Sequence, residues 1–279
     1  MLESKAEDGE LVRRAAMPVA QAFWRRKVDW MDMVEMVEAA RRTMGDLASC
    51  AAYKGVPSRI LAAVTVVVIF GTGPATSAAN GSVTVCAGGG CDFESIAAAV
   101  AGVGEGGTID VLDAEHTESG IVVDKDVTIA GLGASDTIVQ AHSLPGEAGA
   151  RVFEIADGVE VTIRDLTVRH GRVLGSSAHG GGILNHGALT LRRVALTVNE
   201  AVGEYGYYGG NARGGGLYSD GSLLIVDSTV ASNLVQGGEG YATGGAGEGG
   251  GLFATEGTGR LVNVTVSGNG ASRGDACGS

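Results

Sequence analysis

The densest group of side chains that could transfer a proton lies between residues 165 and 193. Within it, Asp165 and His170 could act as an acid–base pair. Hydrolysis of a glycosidic bond requires two or more carboxyl groups around that bond, and no second acidic residue is clearly placed beside Asp165. No residue is therefore assigned as catalytic. If the chain is an enzyme, we expect Asp165, Arg169 and His170 to carry the reaction.

Two further histidines, His179 and His186, flank the first of three glycine tracts. A zinc ion takes three or four protein ligands, and no third ligand has a fixed place near these two. The sequence therefore predicts neither a metal site nor a cofactor.

Four of the six tyrosines lie in long glycine-rich connections at 172–179, 200–213 and 234–248. The candidate ligand-binding residues in these connections are Tyr205, Tyr207, Tyr208, Asn211 and Tyr241. Aromatic residues on loops of a rigid scaffold are typical of binding sites, and a tyrosine ring could stack on a sugar ring. The alternative is that the connections are flexible filler, with the tyrosines packed partly on the scaffold.

The scaffold that carries these residues is a repeat running from Val161 to Ala271. Three glycine tracts begin at Gly180, Gly214 and Gly249, and each is followed by an alternating apolar segment and an apolar-x-x-Asn step. A period of about 34 residues is typical of stacked supersecondary units. The segments are strand-like, with no helical stretch between them, and this pattern predicts a parallel β-helix.

Alignment of the repeats predicts columns of equivalent residues. Two columns should point inward: Ile163, Leu191, Ile225 and Leu261, and Val168, Leu196, Val230 and Val266. A third column, Asn199, Asn233 and Asn269, should form a turn ladder with Gly171 in its place one coil earlier. Asparagine tolerates the left-handed backbone conformation, and its amide can bind the equivalent amides above and below.

A fourth column faces outward and consists of Asp165, Arg193, Asp227 and Asn263. It could line a substrate groove. Opposite charges on neighbouring strands are also the ordinary structural choice, and we favour that interpretation.

Charge excludes one class of partner. From Asn80 onward the chain has 10 Lys and Arg against 23 Asp and Glu by count. Nucleic acid needs a basic footprint, and anionic lipid attracts basic segments. We therefore expect no nucleic acid partner.

The segment before residue 80 differs from the rest. Residues 18–44 have the spacing of an amphipathic helix, and we expect residues 1–55 to be a helical extension upstream of an alternative start near Val56. Residues 56–79 combine Arg59, an apolar run and a small-residue ending, which is typical of a signal peptide; an uncleaved signal anchor is the alternative. Either one would place residues 80–279 outside the cytoplasm, with membrane contact only through 59–79.

The first part of the exported region predicts a cap. A short strand at 82–85 precedes Cys86 and Cys91, and an apolar helical face follows from Asp92 to about Val103. In an exported chain the two cysteines are expected to form a disulfide, whereas a metal site has no histidine nearby to support it. A helix here would cover the first coil of the β-helix.

At this point the chain resembles the pectate-lyase-like superfamily of right-handed parallel β-helices. The strand, the cysteines, the helix, Gly-Gly-Thr-Ile at 106–109 and Lys-Asp-Val-Thr-Ile-Ala-Gly at 125–131 resemble the start of secreted members. The GGG[IL] and [LV]xxN steps resemble the GGA[ILV] and FxxN repeats of polymorphic outer-membrane proteins, with Gly in place of Ala and Leu or Val in place of Phe. The resemblance covers about residues 82–271. It implies an all-β, right-handed parallel β-helix with a short N-terminal capping helix.

The resemblance leaves function open, because the superfamily contains lyases, glycosidases and adhesins. We expect an exported cell-surface or extracellular binding or adhesion scaffold without catalysis, whose partner is an extracellular glycan or a surface protein. The alternative is a carbohydrate-active enzyme, and a lyase would need Arg or Lys as base beside acidic Ca²⁺ ligands. A third possibility is a passenger segment of a larger surface protein. We expect the β-helix at 80–279 to be truncated after Ser279, which would leave Cys277 without an evident partner.

Overall fold

The computed structural model describes residues 81–255 and 259–277. The helix expected at 18–44 and the signal peptide or anchor expected at 56–79 lie outside these residues. Within them, no helix is long and apolar enough to cross a membrane.

The described chain begins with a strand and a helix that cover one end of the fold. Strand β1 spans Ser82–Val85 and helix α1 spans Ile96–Gly102. The helix is shorter than the sequence predicts because Ser95 is its N-cap, and the Ser95 hydroxyl accepts a hydrogen bond from the Ala98 amide at 3.2 Å. Its buried side chains are Ile96, Ala99 and Val100. They pack on the core, so the predicted capping helix is confirmed.

Strands make up most of the rest. After α1 come β2 (Gly107–Val111), β3 (Glu115–Thr117), β4 (Ile121–Val123), β5 (Val127–Ala130), β6 (Ile138–Gln140) and β7 (Phe153–Ile155). The next coil contains β8 (Glu160–Arg164), β9 (Thr167–Arg169), β10 (Arg172–Gly175), β11 (Ser177–His179) and β12 (Ile183–Asn185). It is followed by β13 (Ala188–Arg192), β14 (Ala195–Thr197), β15 (Glu200–Gly203), β16 (Gly206–Tyr208), β17 (Asn211–Arg213) and β18 (Leu217–Ser219). The last strands are β19 (Ser222–Val226), β20 (Thr229–Ala231), β21 (Leu234–Gln236), β22 (Gly240–Thr243), β23 (Gly247–Glu248), β24 (Leu252–Ala254), β25 (Gly259–Val262), β26 (Thr265–Ser267) and β27 (Gly270–Ser272).

Three long parallel sheets form the walls of a solenoid. Sheet I has the order β1-β2-β5-β8-β13-β19-β25, sheet II has β3-β6-β9-β14-β20-β26, and sheet III has β4-β7-β12-β18-β24. Equivalent residues of successive repeats pair directly, as Leu189 does with Leu223 and Leu196 does with Val230. The predicted all-β parallel β-helix is therefore confirmed.

The core runs along the inside of these sheets, as the repeat alignment predicts. Ile163, Leu191 and Ile225 are buried in sheet I, and Val168, Leu196 and Val230 are buried in sheet II. The last members of the two columns differ: Leu261 is 52% exposed and Val266 is 54% exposed. They lie on β25 and β26, which are edge strands of their sheets, so each pairs with one neighbouring strand among the described residues.

Two columns of left-handed residues turn the chain at the ends of sheet II. Asp165, Arg193, Asp227 and Asn263 have φ of 50° to 58° and link sheet I to sheet II. After sheet II, His170, Val198, Ser232 and Gly268 have φ of 54° to 61°. The prediction that the asparagine ladder adopts this conformation is therefore wrong by one residue. The preceding residue makes the turn, which leaves each asparagine free to bind backbone groups with its side chain.

Candidate functional site

The glycine tracts and the asparagine ladder meet at one corner of the solenoid, between sheets II and III. Gly180, Gly214 and Gly249 start the tracts with φ of 63°, 64° and 65°, a region that favours glycine. A Cβ on Gly182 would lie 2.7 Å from the Gly216 carbonyl oxygen and 2.8 Å from Cγ of Asn199. Backbone therefore passes directly over the ladder, and this close approach pins the corner between sheets II and III.

From that corner the chain extends outward as a thin fin rather than as loops. The fin consists of sheet IV (β10-β15-β21-β27), sheet V (β11-β17-β23) and sheet VI (β16-β22). Its small separate core contains Ala178, Ala201, Ala212 and Val235. Flexible filler at 172–179, 200–213 and 234–248 is thus the wrong interpretation, because each connection pairs in parallel with the next.

The tyrosines lie around sheet VI, at the outer end of the fin. Tyr205, Tyr207, Tyr208 and Tyr241 are 60% to 69% exposed, so they do not pack on the scaffold. The ring centroid of Tyr207 is 4.9 Å from that of Tyr208, edge to face, and 5.9 Å from that of Tyr241 on the next coil. We call Tyr205, Tyr207, Tyr208 and Tyr241 the fin tip.

Asn211 has a structural contact close to the fin tip, at the start of β17. Its Oδ1 accepts a hydrogen bond from the Ala246 backbone N–H at 2.8 Å, which joins two neighbouring coils. The rest of its exposed side chain remains accessible beside the fin tip.

Asp165 is held by two arginines. Its Oδ2 accepts hydrogen bonds from Arg164 at 2.9 Å and from Arg193 at 2.8 Å, and its Oδ1 accepts a second bond from Arg193 at 2.5 Å. The hydrogen bond from Arg193 lowers the pKa of Asp165, against the opposing effect of burial. A carboxylate held in this way is a poor proton donor, and it fits the structural column that the sequence predicts.

The structure does not bring His170 to Asp165, because the two residues lie at opposite ends of β9. Nδ1 of His170 is 2.9 Å from the His142 carbonyl oxygen, and burial lowers the pKa of His170. Arg169 binds Gln140 at 2.9 Å and Glu115 at 2.9 Å on the outside of sheet II. Each of the three candidate catalytic side chains therefore has its own structural partners.

The described cysteines form one disulfide and leave one free thiol. Cys86 and Cys91 are joined between β1 and α1, as the sequence predicts, and Cys277 is exposed and unpaired. Over residues 81–255 and 259–277, no three His, Cys, Asp or Glu side chains are grouped so that they could hold a metal ion.

A second group of polar and aromatic residues lies on sheet III and at its junction with sheet I. Nδ1 of His186 is 2.7 Å from Oδ1 of Asp220, one coil further on. On the sheet, the Tyr218 ring stacks between those of His179, at 4.3 Å, and Phe253, at 5.8 Å. Sequence reasoning noted both histidines but missed Asp220, although its spacing of 34 residues from His186 equals the repeat.

Comparison with protein-family models, curated proteins and solved structures finds no match for the chain.

Proposed function

We propose that this protein is an exported cell-surface or extracellular scaffold that binds neutral glycans at the fin tip. The observation that carries the proposal is the exposure of four tyrosines, each at least 60% accessible, around one small two-stranded sheet. Among parallel β-helix proteins, we place the chain with the pectate-lyase-like members that carry repeats of the polymorphic outer-membrane-protein type.

The chemistry of the fin tip favours a ring-shaped ligand. Exposed aromatic side chains grouped on a surface mark interaction sites more often than isolated ones do. A tyrosine offers a rigid apolar ring face with a polar hydroxyl at its end, so it can stack on a sugar ring and hydrogen-bond to it. Because Tyr207 and Tyr241 come from neighbouring coils, the paired strands beneath them hold their relative position.

Charge favours a neutral glycan over an acidic one. Glu204 and Glu239 are exposed beside the fin tip, and acidic residues outnumber basic ones from Asn80 onward. Like charges repel an acidic polysaccharide, and nucleic acid is disfavoured for the same reason.

Export rests on the predicted signal segment and on the cysteines. A disulfide such as Cys86–Cys91 persists in an oxidising compartment, which agrees with a location outside the cytoplasm.

The rival function, a polysaccharide lyase or glycosidase, has less support. Both need catalytic groups that are free to reach one bond. Asp165 is bound by two arginines, while His170 and Arg169 bind elsewhere. A calcium-dependent lyase would also need a group of acidic ligands around the cation, and we assign no residues to that role.

Binding of soluble neutral oligosaccharides to the full chain, measured by calorimetry, tests the proposal. The triple variant Tyr207→Ala, Tyr208→Ala and Tyr241→Ala should weaken binding at least about tenfold. Leu174→Ala is the matched control, since Leu174 is equally exposed but lies on β10 near the base of the fin. Equal binding by the triple variant and the wild type, or release of new reducing or unsaturated ends, would contradict the proposal.

A further inference from the structure

A cleft lies where sheet III turns into sheet I, on a different face from the fin tip. It has a volume of about 620 Å³ and is lined by Asp157, His186, Tyr218, Asp220 and Thr255. That volume is in the range of small-molecule sites. We call it the corner cleft.

The two-residue turns that line the corner cleft are held from inside. Asn185 is fully buried, and its Nδ2 donates to the Ser222 carbonyl oxygen at 3.1 Å and also lies 3.3 Å from the Gly187 carbonyl oxygen. It also donates to Oγ of Ser219 at 2.9 Å, which fixes the next turn to the first. His186 and Asp220 therefore project from fixed backbone, as a binding site requires.

The contact between His186 and Asp220 determines what the imidazole can offer a ligand. An ionised carboxylate can only accept a hydrogen bond, so the 2.7 Å contact places the proton of neutral His186 on Nδ1. Nε2 is then the acceptor, and it can receive a hydrogen bond from a ligand hydroxyl or ammonium group.

Tyr218 supplies a hydroxyl group at a fixed position. The side chain is only 8% exposed, and its ring faces are covered by His179 and Phe253. No hydrogen bond joins its hydroxyl to another residue in 81–255 or 259–277, so the edge that reaches the corner cleft carries an unpaired polar group. The hydroxyl oxygen itself is not buried, so it can form a hydrogen bond with a ligand that enters the cleft.

The charge in and around the corner cleft is negative. Asp157, on the coil before His186, makes no ion pair or hydrogen bond with its side chain in the part of the chain that the structure describes. An adjoining cleft of about 580 Å³ adds Asp126 and Glu160. Neighbouring strands are about 4.8 Å apart, so Asp157 lies about one coil from His186. An unpaired carboxylate beside an acceptor nitrogen favours a cation that also donates hydrogen bonds.

We propose that the corner cleft binds a small protonated amine that carries hydroxyl groups, such as an amino sugar. The ammonium group pairs with Asp157, one ligand hydroxyl donates to Nε2 of His186, and the Tyr218 hydroxyl bonds to the same ligand. The site is separate from the fin tip and does not depend on glycan binding there.

Histidine-detected ¹H–¹⁵N NMR of the full chain tests the proposal, since the sequence has five histidines. The signals that His186→Gln removes identify His186, and they should show a proton on Nδ1. Titration with glucosamine should shift those signals at a concentration at least about tenfold lower than glucose requires, while glucuronate should not compete. Ethanolamine serves as a further probe and should bind more weakly than glucosamine, because it offers one hydroxyl.

Variants separate the contributions of charge and hydroxyl. Asp157→Asn should weaken glucosamine binding about tenfold and leave glucose binding nearly unchanged. Tyr218→Phe should weaken both several-fold, while keeping the ring stack. Asp136→Asn, an exposed carboxylate in the turn between β5 and β6, is the matched control and should change neither. A neutral imidazole of His186 that carries its proton on Nε2, equal affinity for glucosamine and glucuronate, or unchanged binding by Asp157→Asn would each overturn the proposal.

Discussion

Asn233 lies directly beneath Asn199, and its Oδ1 accepts hydrogen bonds from both the backbone N–H and Nδ2 of Asn199, each at 3.0 Å. Asn269 repeats the arrangement one coil further on, with 3.0 and 2.9 Å to Asn233. Each amide nitrogen also donates to a carbonyl oxygen of sheet II, as Asn233 does to Leu196 at 2.9 Å. The ladder thus satisfies the buried backbone groups at the corner where the fin begins.

Removal of one ladder amide should destabilise the fold strongly. Asn233→Ala leaves the buried N–H of Asn199 without an acceptor, and we expect the free energy of unfolding to fall by about 3 kcal/mol. Urea denaturation of the full chain measures the change. Asn211→Ala is the control: it removes one exposed bond to Ala246 and should cost about 1 kcal/mol or less. Equal losses in the two variants would contradict a special role for the ladder.

The solenoid and the ladder could be predicted because they repeat. A regular spacing of apolar residues determines which side chains point inward, and Asn199, Asn233 and Asn269 stand at equivalent positions in every repeat. The left-handed position could not be found from residue types, since it holds His170, Val198, Ser232 and Gly268. Stacking of the coils imposes that backbone conformation even on a β-branched residue.

The glycine tracts are expected to be intolerant of even one methyl group. A Cβ on Gly216 would lie 2.6 Å from the Gly251 carbonyl oxygen and 3.0 Å from Cγ of Asn233. Gly216→Ala should therefore destabilise the protein by about 3 kcal/mol, because backbone must move to make room. A Cβ on Gly149 would instead have no neighbouring atom within 4 Å. Gly149→Ala should change stability by less than about 0.5 kcal/mol, and thermal unfolding of both variants provides the comparison.

Val198 should yield a stabilised variant. It is a β-branched residue with φ of 54°, a conformation that costs a non-glycine residue about 1–2 kcal/mol. Its side chain is 40% exposed, so little burial is lost on truncation. Val198→Gly should raise the free energy of unfolding by about 1 kcal/mol. Val122→Gly, at an exposed position on β4, should instead lower it by a similar amount, and a loss of stability in both variants would argue against strain at Val198.

Less of the candidate site than of the fold could be predicted. The tyrosines were identifiable because four of them share the long connections, but the paired strands beneath them were not. The fin interior holds alanine and glycine, with Ala178, Ala201 and Ala212 as its buried members, and such residues produce no strong hydrophobic period. The group of charged residues around Asp165 was misleading, because a high density of charged residues in the sequence does not show which of them pair with one another.

The cap contains a buried ion network that the repeat pattern does not predict. His116 is 2% exposed and lies between Asp113, at 2.7 Å from Nδ1, and Glu118, at 3.0 Å from Nε2. Glu118 also accepts the backbone N–H groups of Ile96 and Ala97 at 2.6 and 3.0 Å, so it caps the start of α1. Burial lowers the pKa of His116, but the hydrogen bonds and charges of Glu118 and Asp113 outweigh it and raise that pKa overall. Burial raises the pKa of Glu118, while His116 and the two amides lower it overall.

These opposite shifts predict that the pair of His116 and Glu118 contributes most to stability on the acid side of neutrality. Since the pKa of His116 is raised from its ordinary value of 6.5, its contribution is complete below that value and is lost as pH rises through the folded-state pKa. The pKa of Glu118 is lowered from 4.5, so its contribution is present above 4.5 and is lost as pH falls through its folded-state pKa. The free energy of unfolding, measured by urea denaturation, should therefore differ more between the wild type and His116→Gln at about pH 6 than at about pH 9. The reason is that only the protonated imidazole pairs with both carboxylates. His142→Gln, which removes a more exposed histidine whose Nδ1 contacts the Leu144 backbone and no carboxylate, is the control and should show no such change in the difference. A difference between wild type and His116→Gln that grows toward alkaline pH would mean that His116 is held neutral, with its two carboxylate contacts supporting the cap without charge.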